Sequence, residues 1–247
     1  MVNSPTDAEV CKLVDNMYRA LNIGFANELG NLCEKIGIDS YKIVSAVNSA
    51  YSRTTVFRPG LGADGPCLSK DPLILRHFAE LVDVDMPIIN SSIEVNQLAT
   101  KRVVSNVLGF LQEKKLFKSR IALLGLAFKG MPETDDLRGA PSVSVYEELC
   151  EISESNKEFE FEFSFYDPVI TDFMGAPVSR DIRPCLEGAN VIIFLNNHPR
   201  LRNVSENEIM SSSARPLLVF DSWHNIKEPR EITTDSSVSY IRVGDGT

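Results

Sequence analysis

The apolar residues of this chain change their period at Ser119, and that change limits what the chain can fold into. Before it, apolar positions recur at steps of three and four, the spacing of one helical face. After it, short apolar runs alternate with turn residues and helical stretches. The pattern predicts an all-helical first part and an α/β second part whose strands form a parallel, doubly wound sheet. The boundaries fall at 1–100 and 101–247, with a long helix over 88–115 as the joint.

In the helical part, Ser4-Pro5-Thr6-Asp7 supplies an N-cap, a first-turn proline and a first-turn acid. Val10, Leu13, Val14, Met17, Leu21 and Phe25 carry the helix on towards Lys35, with Leu13, Val14 and Met17 turned to the core. Gly37 closes it. Small residues Ala20, Gly24, Ala26 and Gly30 suit close packing against another helix. Asp39 caps a second helix through Val47, and a third is expected over 70–82. Beyond Ser119, strands are expected over 120–125, 159–165, 189–195, 216–221 and 237–243, with helices opened by Pro141 and at 206–211. Open α/β sheets bind ligands beyond the carboxyl ends of their strands. That rule nominates Phe128-Lys129, Asp167-Pro168, Asn196-Asn197 and Asp221-Ser222.

The formal charge of −9, with no basic stripe, argues against a nucleic-acid partner. No apolar run approaches the ~20 residues of a membrane span, and no signal peptide opens the chain, so a cytoplasmic protein is expected. The five cysteines have no paired spacing and read as reduced thiols, and the three histidines lie far apart. No metal site is expected.

Between the second and third helices lies Arg58-Pro-Gly-Leu-Gly-Ala-Asp-Gly-Pro-Cys-Leu-Ser-Lys-Asp-Pro72, too rich in glycine and proline for a helix or strand. Gly60 to Gly65 spells G-x-G-x-x-G, but a dinucleotide fingerprint must follow a strand and open a helix. Here it follows Phe57-Arg58-Pro59, and Pro66 is expected to interrupt before a helix starts. Cys67 reads either as a small buried thiol under a tight loop or as a nucleophile, biased towards thiolate by a helix N-terminus and by Lys70. Lys70 and Asp71 fall in the first turn of the next helix, where Asp71 suits the dipole or is a plain cap. Lys12 and Asn16, at i and i+4, share a face that is either solvated or able to grip an oxyanion. Lys129, Asp135, Asp136 and Arg138 either bind an anionic nucleotide or form surface ion pairs.

Three groups of residues, in order and spacing, carry a resemblance over essentially the whole chain. They are Lys12-Leu-Val-Asp-Asn16 with Phe25-Ala-Asn-Glu-Leu29; Pro59-Gly-x-Gly-x-x-Gly-x-Cys67-x-x-Lys-Asp71; and Leu124-Gly-Leu-Ala-Phe-Lys129 with Thr134-Asp-Asp-x-Arg138. Together they resemble the UDP-glucose/GDP-mannose dehydrogenase family, and Tyr51-Ser-Arg53 is similar to the branch acting on UDP-N-acetylhexosamines. The resemblance implies a 6-phosphogluconate-dehydrogenase-like helical domain that forms a homodimer, followed by a UDP-binding domain. The N-terminal NAD-binding Rossmann domain of the family is absent from this sequence.

The implied reaction is an NAD-dependent, two-step oxidation of a UDP-sugar C6 alcohol to a carboxylate through a cysteine thiohemiacetal and thioester. By the same resemblance Cys67 is the nucleophile, Lys12 and Asn16 stabilise oxyanions, and Asp71 assists water and proton transfer. The backbone at Gly60, Gly62 and Gly65 lies against the sugar, and Arg53 reaches the substrate of a partner subunit. Lys129 and Arg138 meet the nucleotide end, and Lys70 meets the cofactor. The chain departs from the family at Asp64, where glycine is usual; a carboxylate there would raise the thiol pKa and repel a diphosphosugar. Because the Rossmann domain is missing, a non-catalytic nucleotide-sugar-binding or dimerisation module is the alternative expectation.

Overall fold

A computed structural model describes residues 4–50, 53–156 and 158–247. Tyr51 and Ser52 lie outside them. The residues cluster into two units, 1–100 with 244–247, and 101–243.

In the first unit, α1 runs from Pro5 to Lys35 and starts at a complete capping box between Ser4 and Asp7. α2 spans Ser40–Ala50, α3 Gly65–Leu68 and α4 Asp71–Glu80, while α5, Pro87–Lys114, contributes residues to both units. α3 corrects the reading of Pro66. The proline does not delay the helix but lies in its first turn, where an N–H has no helical partner to lose. α4 correspondingly starts at Asp71 rather than Lys70.

Met17, Leu75 and Ile89 form a buried cluster with Leu13, Leu21, Met86 and Ile93 packed around it. Each such burial stabilises by roughly 1.5–3 kcal/mol. Val14 is not part of it: it is 52% exposed and lines up with exposed Tyr18, Phe25, Leu32 and Ile36 on the outer side of α1. The helix therefore has two apolar faces, of which the described residues cover one. The last residues fold back on this unit, with the Ser40 N–H donating to the Gly244 carbonyl at 2.8 Å and the Gly244 N–H to Glu34 Oε1 at 2.6 Å.

In the second unit, β1 (Lys118–Leu124), β2 (Glu160–Tyr166), β5 (Val191–Phe194), β6 (Leu217–Asp221) and β7 (Val238–Arg242) form one parallel sheet in the order β2-β1-β5-β6-β7. This is a doubly wound order that reverses direction between β1 and β5, the place where such sheets bind ligands. α6 (Pro141–Ser155) connects β1 to β2. A small antiparallel pair, β3 (Asp172–Phe173) with β4 (Ala176–Pro177), and three short helices, α7 (Arg183–Leu186), α8 (Glu206–Ser212) and α9 (Arg230–Thr234), complete the unit. The core is built on the central strands, whose Ala122, Leu124, Ile192, Phe194 and Val219 are completely buried. No helix among the described residues is long and apolar enough to cross a membrane.

Candidate active site

Three helices of the first unit bring together residues that lie far apart in sequence. Asn16, 3% exposed on α1, donates from Nδ2 to Asp71 Oδ2 at 2.5 Å, across 55 residues of sequence. Lys70 Nζ donates to Asp71 Oδ1 at 2.9 Å, and Lys12 Nζ lies 3.8 Å from Asp71 Oδ2. Asp71 is 1% exposed at the start of α4. Burial alone would raise its pKa, but hydrogen bonds from Lys70 and Asn16 and the charges of both lysines outweigh that and hold it below the ordinary value. Asp71 is thus a buried carboxylate gripped from three sides, and the helix-cap alternative falls away, since the N-cap position belongs to Lys70. Lys12, Asn16, Lys70 and Asp71 form one constellation. Cys67, a free and half-buried thiol, stands on α3 immediately before it.

Two amides on the neighbouring helices hold the loop that leads to Cys67. Asn27 Oδ1 accepts from the Gly60 N–H at 2.8 Å, and Asn96 Oδ1 accepts from the Ala63 N–H at 3.0 Å. Asn96 Nδ2 also donates to the carbonyls of Ala20 and Ser92, both at 2.9 Å, so one side chain joins α1, α5 and the loop. Gly62 cannot be replaced cheaply. Its φ is +107° and a Cβ would lie 2.8 Å from the Asn96 carbonyl oxygen. Arg53 is exposed at the far end of the loop.

The G-x-G-x-x-G string is now testable in space. Residues 54–60 form no strand, and the helix that follows has only four residues. Lys70, the residue read as meeting a cofactor, is engaged by Asp71. The string thus lacks the strand and the full helix that a dinucleotide fingerprint requires.

In the second unit the switch-point loops are tied to each other. Gly130 donates to Asn197 Oδ1 at 3.0 Å, and a Cβ on Gly130 would collide with the backbone of His198. Buried His198 pairs through Nε2 with Glu133 Oε2 at 3.1 Å. Lys129 Nζ sits 5.1 Å from the centre of the Phe128 ring. Arg138 grips Asp136 through Nε and Nη2 at 2.8–3.2 Å, and its hydrogen bonds hold the Asp136 carboxyl down at about 2. The structure therefore pairs Arg138 with Asp136, the ion-pair alternative of the sequence.

Two other nominated strand-end residues, Asp167 and Asp221, hold backbone. Asp167 accepts from the N–H groups of Leu126, Ala127, Val169 and Ile170. Asp221 accepts from those of Trp223, Asn225 and Ile226, and from the Tyr240 hydroxyl.

Comparison with known proteins places both units in one lineage. Residues 6–98 match the central domain of the UDP-glucose/GDP-mannose dehydrogenase family, and residues 122–228 match the UDP binding domain of the same family. The chain belongs to that family. It is 30% identical over 230 residues, 92% of its length, to the UDP-N-acetyl-D-mannosamine dehydrogenase of Pyrococcus horikoshii. It is 35% identical over 150 residues, 61% of its length and 35% of the relative's, to the enzyme of that name from Campylobacter jejuni. The solved NDP-N-acetyl-D-galactosaminuronic acid dehydrogenase of Methanosarcina mazei superposes with a TM-score of 0.85 at 27% identity, covering 98% of this chain and 52% of that one. The chain spans about half the length of the Pyrococcus and Methanosarcina proteins.

Within this family frame, Asp64 is anomalous. It is half-buried beside Gly65, and loss of hydration, with no hydrogen bond or cation to offset it among the described residues, pushes its carboxyl well above the usual range. A raised folded-state pKa means the folded chain holds this proton more tightly than the unfolded chain does. Stability therefore falls as pH rises from the unfolded value, ~3.9, through the folded one. Asp64→Asn is expected to be more stable than the parent at pH 7 and to match it near pH 4. Urea unfolding across this range checks it; equal stabilities at pH 7 would show the carboxyl to be solvated.

Sequence reasoning missed Arg19, Asn96 and the His198–Glu133 pair. Arg19 meets Asn16 and Asp15 at i−3 and i−4, a helical spacing already present in the sequence, whereas Asn96 reaches Ala20 and Ala63 across tens of residues, which no local pattern signals.

Proposed function

We propose that this chain is the substrate-handling portion of a nucleotide-sugar 6-dehydrogenase, acting on the C6 alcohol of a UDP-N-acetylhexosamine. The observation that carries the reading is the Lys12–Asn16–Lys70–Asp71 constellation next to the half-buried thiol of Cys67. NAD would take the two hydrides removed in oxidising alcohol to acid, and no part of that transfer is assigned to residues of this chain.

Cys67 adds through Sγ to the C6 aldehyde, giving a thiohemiacetal whose oxyanion is stabilised by the Lys12 ammonium and the Asn16 Nδ2. After its oxidation to the thioester, water attacks the carbonyl, the C–S bond breaks, and the thiol and the uronate are released. Asp71 is the base at this step: as a carboxylate it takes the proton of the attacking water. The backbone at Gly60, Gly62 and Gly65 borders the sugar, and Lys129 and Arg138 serve the nucleotide end. For Arg138 this means exchanging the Asp136 carboxylate for a phosphate, an acceptor of similar fork geometry. The outer apolar face of α1, with Val14, Tyr18, Phe25, Leu32 and Ile36, supports a homodimer through the helical unit, with Arg53 reaching the partner's substrate.

The test uses the chain alone and does not need the cofactor. Calorimetric titration with UDP, UDP-N-acetylmannosamine and UDP-N-acetylglucosamine should give saturable binding, with one sugar preferred. Incubation with the 6-aldehyde of that sugar should add its mass to Cys67. A chain that binds UDP-sugars but never captures the aldehyde would support the second reading, a binding or dimerisation module, which the unpartnered Asp64 in the cysteine loop favours. Binding of none of them would sink the first reading and leave a dimerisation module alone.

A further inference from the structure

The reading above leaves Arg19 without a role, although its guanidinium reaches the centre of the constellation. It donates through Nη2 to Asn16 Oδ1, and the same nitrogen lies 3.3 Å from Asp15 Oδ2. The buried Asn16 amide is thus bound at both ends, its oxygen by Arg19 and its nitrogen by Asp71. Arginine carries donors only, so the amide oxygen must face Arg19 and the nitrogen must face the carboxylate.

The bond to Asp71 alone would not fix the plane of the amide. The terminal torsion of asparagine is soft and broad, and rotation about it can keep one N–H near the carboxylate while swinging the other. A second anchor at the oxygen removes that freedom. We infer that Arg19 is a positioning residue that holds the Asn16 amide plane and so aims the Nδ2 hydrogen that Asp71 does not take. The inference rests on the proposed role of Asn16 as an oxyanion donor. It names a residue that touches no reacting atom but sets the direction of one that does. Asp15 Oδ2 pairs with that same Nη2, and the Arg19 and Asp15 side chains are 46% and 73% exposed, so replacing Arg19 should not disturb the core.

The test compares Arg19→Met, which keeps the bulk of the stem, with Arg19→Lys, which keeps a donor. One readout is hydrogen exchange of the Asn16 side-chain amide by NMR, assigned through its loss in Asn16→Ser. The other is the equilibrium for capture of the UDP-sugar 6-aldehyde by Cys67, with UDP affinity measured in parallel. Arg19→Met should lower both amide protection and capture about tenfold, leave UDP affinity unchanged, and be largely rescued by Arg19→Lys; misdirecting one oxyanion donor is a fraction of the ~10²-fold cost of removing it. Unchanged amide protection in Arg19→Met would overturn the positioning role. Lost protection with unchanged capture would make Arg19 a structural brace only, and would overturn its part in the reaction. A parallel loss of UDP affinity would make it a substrate contact, which also overturns it. If the parent chain captures no aldehyde, the oxyanion reading itself has failed, and the exchange measurement alone decides whether Arg19 orients the amide.

Discussion

Cys67→Ser should abolish capture of a UDP-sugar 6-aldehyde, by at least ~10³-fold, without changing UDP affinity or stability. The substitution exchanges sulfur for oxygen on a half-buried residue of a four-residue helix, whose last turn is held independently by the Ser69 hydroxyl on the Gly65 carbonyl at 2.7 Å. The fold has no reason to respond. The chemistry does, because a serine hydroxyl is almost wholly protonated at neutral pH and adds weakly to a carbonyl, whereas a thiol is both a strong nucleophile and a good leaving group. Intact-mass spectrometry after incubation with the aldehyde reads the result directly. Persistence of the full adduct in Cys67→Ser would move the nucleophile elsewhere, and the exposed thiol of Cys11, next to Lys12 on α1, is the first place to look.

The parts of the fold that were legible in sequence are those set by local chemistry. Ser4, Pro5 and Asp7 announce the start of α1 because a capping box and a first-turn proline satisfy or avoid the orphan N–H groups within a few residues. The buried strands announce themselves because a parallel sheet covered on both faces needs unbroken apolar runs such as Val191–Phe194. Legibility failed where one local signal has two outcomes. In sequence Pro66 reads as an interruption, yet a proline is equally at home in the first turn of a helix, and only the course of the chain around it decides.

In sequence Val14 reads as core because it keeps helical spacing with Leu13 and Met17. α1, however, carries apolar residues on two sides, and the pattern does not say which side this chain covers. The candidate site was legible as separate pairs, Lys12 with Asn16 and Lys70 with Asp71, since each is local. That Lys12 and Asn16 join Lys70 on the Asp71 carboxylate, and that Asn27 and Asn96 brace the loop, depends on contacts spanning tens of residues, which periodicity does not encode; the Arg19–Asn16 bond is local, and its weight shows only once Asn16 is seen to be buried against Asp71. Asp167 and Asp221 show the opposite case. Their place at strand ends suggested ligands, but their carboxylates are saturated by backbone N–H groups of the loops they anchor.

Asp71→Ala should be the most damaging single substitution in the helical unit. It deletes the one acceptor shared by Asn16, Lys70 and Lys12, and leaves the buried Asn16 Nδ2 without a partner. Removing one member of a buried charged pair costs about 3–5 kcal/mol. The lower end applies here, about 3 kcal/mol, because the Lys12 and Lys70 side chains are 63% and 55% exposed, so water screens and re-solvates them. The pH dependence separates this electrostatic account from a simple cavity. Since the folded-state pKa of Asp71 is depressed, its contribution is fully present above the unfolded carboxylate value of ~3.9 and is lost as pH falls through the lower folded value. The stability difference between parent and Asp71→Ala, measured by urea unfolding, should therefore be constant from pH 7 to about 5 and shrink in the acid limb below ~4. A difference that persists undiminished into strong acid would mean that Asp71 acts by packing alone. Asp71→Asn keeps the shape and can still accept one hydrogen bond from Asn16, so it should recover much of the stability. If Asp71 is the base for thioester hydrolysis, the same variant should leave aldehyde capture intact and slow release of a thioester preformed on Cys67, which separates its structural role from its chemical one.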